Sequence, residues 1–225
     1  MATAKRELTF LLAKPEKKLL WWIAARLPRA INSNHLTALG VLGSLATAVA
    51  YGVSGFDLRW LWLASAGLVV NWFGDSLDGT VARVRKAERP RYGYYLDHIV
   101  DAFSTAAIGI GIGLSPFMSF PIAMLLVVLY LTLSINVYLE SQVFVVFKLS
   151  YGIFGPTEAR LMLIALNIMF VLAPQMQQVP VWIINLLGNT VAALLVIAML
   201  TTLAVRFGKN LHRLARMEPR KQLVV

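Results

Sequence analysis

The sequence predicts an all-α integral membrane protein, a six-transmembrane-helix bundle with an N-terminal interfacial amphipathic helix, and three observations support that prediction. Hydrophobic residues make up 58% of the 225 and charged residues only 14%, a balance foreign to soluble domains. Six apolar stretches approach the roughly 20 residues that a helix needs to cross a bilayer. The basic residues, which leave a net charge of +10, avoid those stretches and collect on one side of them, as in cytoplasmic loops.

The first 34 residues lack a long apolar core followed by a small-residue cleavage site, so they are expected to be retained. Within them, Lys17-Lys18-Leu19-Leu20-Trp21-Trp22-Ile23-Ala24-Ala25-Arg26-Leu27 mixes cations, tryptophans and aliphatics before Pro28. That composition suits a helix lying along lipid headgroups. The spans follow at Leu36–Val53, Leu58–Asp78, Tyr94–Leu114, Phe120–Phe147, Arg160–Ala173 and Val181–Val205. Pro174 cuts the fifth short, and the fourth is long enough to tilt. Lys5 to Arg29, Arg83 to Arg91, Lys148 with Arg160, and Arg206 to Lys221 all fall on one side, against Arg59 beside Asp57 on the other. Both termini are therefore expected in the cytoplasm. The positive surface suits anionic headgroups, and nucleic acid is not expected as a partner for a chain lying mostly in the bilayer. The absence of cysteine excludes disulfides, zinc–thiolate sites and a cysteine nucleophile. Gly40, Ser44 and Ala48, and likewise Gly109 and Gly113, form small-residue stripes that let helices approach closely. Asn167, Asn185 and Asn189 read as hydrogen-bonding links between helices.

The chemistry gathers where the second span ends and the third begins. Asp75-x-x-Asp78-Gly79-x-x-Ala82-Arg83 is followed, nine residues later, by Gly93-x-x-x-Asp97-x-x-x-Asp101. An isolated carboxylate mid-membrane costs roughly 2.5–3.5 kcal/mol even on a mild insertion scale. Four of them need positive partners, and a pair of divalent cations is the simplest supply. At about 100° per residue, Asp75, Asp78, Gly79, Ala82 and Arg83 share one helical face. Asp97 and Asp101, four apart, stack on one face of the next helix, and the short basic loop makes the two helices antiparallel neighbours. Carboxylate oxygens are hard ligands suited to Mg²⁺ or Mn²⁺. Gly79 and Ala82 leave room for a flat base or sugar, Arg83 offers charge to phosphate, and Asp101 is placed to accept a proton.

This pattern resembles the signature of the CDP-alcohol phosphotransferases (CDP-alcohol phosphatidyltransferases), integral membrane enzymes of phospholipid synthesis, and every fixed position is present. The resemblance implies a homodimer holding two Mg²⁺ or Mn²⁺ per subunit. Asp75, Asp78 and Asp97 would be the main ligands, and Asp101 a further ligand and the general base. The CDP moiety would lie against Asp75, Gly79, Ala82, Arg83 and Gly93. The implied reaction is attack of an alcohol on the β-phosphorus of a CDP-linked donor, with release of CMP. Residues 1–34 then form a cytoplasmic interfacial segment, 35–206 a six-helix catalytic domain and 207–225 a basic cytoplasmic tail, with the bacterial inner membrane as the expected location.

Donor and acceptor are less constrained. Asp97-His98 resembles the Asp-His pair of the family's aminoalcohol branch, which gives a slight preference for CDP-choline or CDP-ethanolamine as donor and diacylglycerol as acceptor. The alternative is phosphatidyl transfer from CDP-diacylglycerol to a polar alcohol or sugar phosphate. An imidazole at His98 suits proton transfer, or equally a packed helix surface. Before the fifth span, Pro156 and Thr157 read as a helix start. Arg160 suits an acceptor phosphate, and Glu158 a hydroxyl or cationic headgroup, with an internal salt bridge as the structural alternative. Tyr94, Tyr95 and Tyr151 could surround such a cation. Glu140, with Asn136 one turn before it, is expected to line the acceptor pocket or brace the helices, and Asn71 to hydrogen-bond in the site or between helices. A cation transporter or a non-catalytic lipid-binding scaffold would also place acids in membrane helices. A transporter, however, needs a polar path to the far side, where these spans are apolar.

Overall fold

The computed structural model describes residues 12–144, 155–173 and 178–218. Lys5, Phe147, Lys148, Tyr151, Pro174, Lys221 and the outer parts of both terminal segments lie outside them. The described residues form seven helices and no strand: α1 (Ala13–Arg26), α2 (Ser33–Val53), α3 (Trp60–Val84), α4 (Pro90–Leu114), α5 (Phe120–Phe144), α6 (Pro156–Leu172) and α7 (Val181–Met217). By length and composition, α2, α5 and α7 can cross a membrane. α3 and α4 are as long as α5, at 25 residues each, but their aspartates lower the apolar content. α6 has 17 residues, just short of the usual span.

Local chemistry sets the helix ends. The Asn32 side chain accepts from the His35 N–H, and the Asn32 N–H donates to His35 Nδ1, a capping box that starts α2. α4 and α6 begin with a proline in the first turn, where the missing N–H has no intrahelical partner to lose. α3 closes in a Schellman turn: the N–H of Ala87 reaches the carbonyl of Ala82 at 2.9 Å and that of Lys86 reaches Arg83 at 3.2 Å. Lys86 takes the left-handed conformation at φ 53°, a position that usually falls to glycine. The helix is thus stopped immediately after Arg83. The basic stretch from residue 207 continues α7 as far as Met217, and the 37 residues of that helix give a rod of about 55 Å.

α2 is the central strut. It packs against both α3 and α4, while α4 packs on α5, α5 on α7, α3 on α6 and α1 on α3. Small residues make these approaches possible. A Cβ at Gly74 would collide with the backbone of Gly40 and Leu36, and one at Gly111 would sit 2.5 Å from the Ala48 backbone. Gly40 and Ala48, from the stripe read in the sequence, are therefore contact points, and Gly109 and Gly113 meet Val127 and Phe120 of α5. α3 and α4 both pack chiefly on α2, and their acidic faces meet as expected, with carboxylates of Asp75, Asp97 and Asp101 close together.

Two apolar cores join these helices to their neighbours. Near the aspartates, Leu20 and Ala24 of α1 pack with Leu36, Leu77 and Val81. At the opposite end, Ala50, Tyr51, Leu61 and Ala64 pack with Phe117 and Phe170. There the Tyr51 hydroxyl donates to Asn167 Oδ1 at 3.1 Å, and Asn167 Nδ2 donates to Ser65 Oγ at 3.1 Å, joining α2, α6 and α3. Asn189 accepts from Ser119, and Asn185 donates to the Pro116 carbonyl. All three asparagines therefore link elements.

Candidate active site

The four aspartates divide three and one. Asp75 of α3 and Asp97 and Asp101 of α4 each bring a carboxylate oxygen within 4.8 Å of the others. The 3.6-residue helical repeat stacks Asp97 over Asp101, and all three residues are partly exposed. Arg160, in the first turns of α6, places Nη2 2.9 Å from Asp75 Oδ2. Three carboxylates thus share a single guanidinium, and like charges about 4 Å apart repel by roughly 1 kcal/mol per pair even in water. All the donors are hard oxygens, one side is open, and negative charge is in excess. This set fits Mg²⁺ or Mn²⁺, and Asp75, Asp97 and Asp101 are the residues that would hold it.

Asp78 turns toward α2. Thr37 Oγ1 lies 2.6 Å from its Oδ2, its Oδ1 accepts the Gly79 N–H, and Ser33 Oγ donates to its carbonyl. It therefore lies outside the trio and ties α3 to α2. Gly79 has no side chain, and the Arg83 guanidinium folds over it: a Cβ at Gly79 would lie 3.3 Å from Arg83 Nη1. Arg83 Nη2 also donates to Thr80 Oγ1 at 3.1 Å. Ala82 is half-buried beside them. Gly93, in the first turn of α4, has open space where a side chain would stand. The residues expected to face CDP thus occupy the end of α3 and the start of α4, next to the trio.

His98 lies between Tyr94 and Tyr138, with ring centroids 4.1 and 4.2 Å away. Its Nδ1 is 3.4 Å from Asp97 Oδ2, but neither ring nitrogen is hydrogen-bonded among the described residues. Tyr95 is exposed. Asn71 donates to the Gly40 carbonyl at 3.0 Å, a link between helices. Glu140 lies outside the trio. It accepts from Asn136 and Asn210 at 2.7 and 2.6 Å and from Arg206 through both Nε and Nη2. In the first turn of α6, Glu158 accepts the N–H of Gly155 at 2.9 Å and of Leu12 at 3.0 Å. Thr157 Oγ1 donates to Glu16 at 2.9 Å.

Three residues around the site escaped the sequence reading. Thr37 holds Asp78. Arg85 donates to the carbonyls of Leu27, Pro28 and Ile31, pinning the end of α3 under α1. Glu16 joins α1 to α3 and α6. Only Glu16 had a signal, as an acid in helical phase with the apolar residues Leu20 and Ala24.

Residues 30–205 match the CDP-alcohol phosphatidyltransferase family, a segment that holds the trio, Asp78 and Arg160. The chain belongs to that family. Members of that family are membrane enzymes, transferases of phosphate-containing groups that use CDP-linked donors. The chain is also 33% identical over 93 residues to the phosphatidylinositol phosphate synthase of Cutibacterium acnes (strain DSM 16379 / KPA171202). That match covers 41% of this chain and 42% of the relative, less than half of either. Both findings favour phosphatidyl transfer over the aminoalcohol preference drawn from Asp97-His98. The tyrosines stacked on His98 give that residue a packing role that does not depend on the donor.

Proposed function

We propose that the protein transfers a phosphatidyl group from CDP-diacylglycerol to a hydroxyl of a polar, phosphorylated alcohol, releasing CMP. The observation that carries this reading is Arg160 held at the trio by Asp75. A guanidinium at that place suits a phosphate on the acceptor, whereas a choline-like acceptor or headgroup gains nothing from it. The relative's name, phosphatidylinositol phosphate synthase, points to an acceptor of the same kind, a phosphorylated polyol.

In this reading the acceptor oxygen bonds to the β-phosphorus, the bond from that phosphorus to the bridging oxygen breaks, and CMP leaves with that oxygen. Asp101 accepts the hydroxyl proton and passes it to water. Arg160 orients the acceptor through its phosphate, a positioning effect. Arg83 leaves its resting place over Gly79 to meet the donor's phosphates, and Gly79 and Ala82 keep the helix surface low for cytidine. Asp75, Asp97 and Asp101, with Asp78 as a further ligand, would hold divalent cations, whose charge would polarise the pyrophosphate and stabilise the leaving group. The six-span plan, with α3, α4 and α6 joining α2, α5 and α7, belongs to this reading, as do two metals per subunit, a homodimer, cytoplasmic termini and a bacterial inner membrane.

The test is CMP release by purified protein in nanodiscs containing Mg²⁺ or Mn²⁺. CDP-diacylglycerol would be offered with inositol phosphate, glycerol phosphate and unphosphorylated alcohols, and CDP-choline or CDP-ethanolamine with diacylglycerol. Release from CDP-diacylglycerol that depends on a phosphorylated acceptor is expected. Release only from the CDP-aminoalcohols would reverse the assignment.

A further inference from the structure

Glu16 is a carboxylate on the docked face of an interfacial helix. It precedes Leu20 and Ala24 by one and two turns, and both of those are buried against α2 and α3. An acid in such a stripe is costly unless its oxygens are occupied. Here Oε1 accepts from Trp72 Nε1 at 2.7 Å, Ser76 Oγ at 3.3 Å and Thr157 Oγ1 at 2.9 Å. Trp72 and Ser76 flank Asp75 on α3, and Thr157 stands one turn before Arg160 on α6. A second tie runs alongside, from the Leu12 N–H to Glu158, which also caps α6 through Gly155. The first turn of α1 therefore holds the first turn of α6 against α3 at the level of the site. The opposite face of α1 carries Lys14, Lys17 and Lys18 and the exposed Trp22, groups suited to headgroups.

We propose that Glu16 is a positioning residue. By joining α1, α3 and α6 through one oxygen, it sets the first turn of α6 and hence the place of Arg160 over Asp75. This rests on the phosphatidyl-transfer reading for its kinetic consequence, though not for its structural one. Loss of Glu16 should loosen α6 and weaken the acceptor subsite while leaving the donor subsite intact.

The test uses the full chain in nanodiscs with two readouts. Amide hydrogen exchange, which needs no turnover, follows the first turns of α1 and α6 in wild type, Glu16→Ala and Glu16→Gln. In Glu16→Ala, exchange at residues 157–161 should quicken about tenfold together with α1. Glu16→Gln, whose amide oxygen can still accept from Trp72 and Thr157, should quicken it about threefold or less. In kinetics, Glu16→Ala should raise KM for the phosphorylated acceptor about tenfold with KM for CDP-diacylglycerol unchanged. Exchange that quickens in α1 alone, or a KM rise shared by donor and acceptor, would overturn the proposal. If wild type shows no turnover with CDP-diacylglycerol, the functional reading fails while the exchange experiment still decides the role of Glu16.

Discussion

Two regions of this molecule place carboxylates in apolar helices beside an arginine, and they differ in how completely the acids are satisfied. Between α5 and α7, one carboxylate, Glu140, accepts four hydrogen bonds from three side chains, two of them from Arg206. Its charge is matched and its oxygens are occupied. Between α3 and α4, three carboxylates share Arg160, which reaches only Asp75. A matched acid braces two helices, whereas a surplus of acids kept within 4.8 Å of one another is a standing demand for cations. Carboxylates held this close, each still partly exposed, repel one another unless a cation lies among them. The number of donors per carboxylate therefore separates brace from site more sharply than the presence of acids in a membrane helix.

Substitutions can break that distinction or sharpen it. The largest effect is expected at the surplus. Asp75→Ala should lower turnover by about a thousandfold or more, because ligand and pyrophosphate contact are lost together, with little change in thermal unfolding. Glu140→Ala should do the reverse. Removing the carboxylate that Arg206, Asn136 and Asn210 bond should cost about 3 kcal/mol of stability, seen as a fall in Tm, while turnover per folded molecule stays within about twofold. If Glu140→Ala abolished turnover at unchanged Tm, the brace would in fact be part of the site. Arg160→Ala is next, with a rise in acceptor KM of about thirtyfold from the lost charge-assisted bond and a smaller change in donor KM. The smallest effect belongs to His98→Phe, which keeps the stack on Tyr94 and Tyr138 and should retain turnover within about threefold. A loss beyond tenfold there would give the imidazole a proton-transfer role.

The sequence showed some of this plainly and hid the rest for physical reasons. The trio was legible because the spacing of Asp97 and Asp101 and the in-phase set from Asp75 to Arg83 are properties of a single helix each. The small-residue contacts at Gly40, Ala48, Gly109 and Gly113 were legible because close approach demands small residues. Which helix each stripe meets was not, since both Gly74 and Gly111 converge on α2. That α3 and α4 both pack chiefly on α2 escaped because a short loop fixes direction and proximity but not packing partners. Asp78 shares a helical face with Asp75, yet its carboxylate is drawn aside by Thr37 from forty-one residues earlier in the chain, a pairing that only tertiary structure creates. His98 shows the converse. Its neighbour in sequence suggested a donor, whereas its neighbours in space, Tyr94 one turn before it and Tyr138 from α5, give it a packing role.

The most direct measurement is Mn²⁺ binding to detergent-purified protein, followed by electron paramagnetic resonance as free Mn²⁺ is depleted, in wild type, Asp75→Asn, Asp101→Asn and Glu140→Gln. Each substitution removes one negative charge from a helix at nearly constant shape, so only the place of the charge differs. Saturable binding should survive in wild type and Glu140→Gln and weaken at least about tenfold in both aspartate variants. Equal binding by all four proteins, or a loss confined to Glu140→Gln, would contradict the assignment of the trio as the cation site.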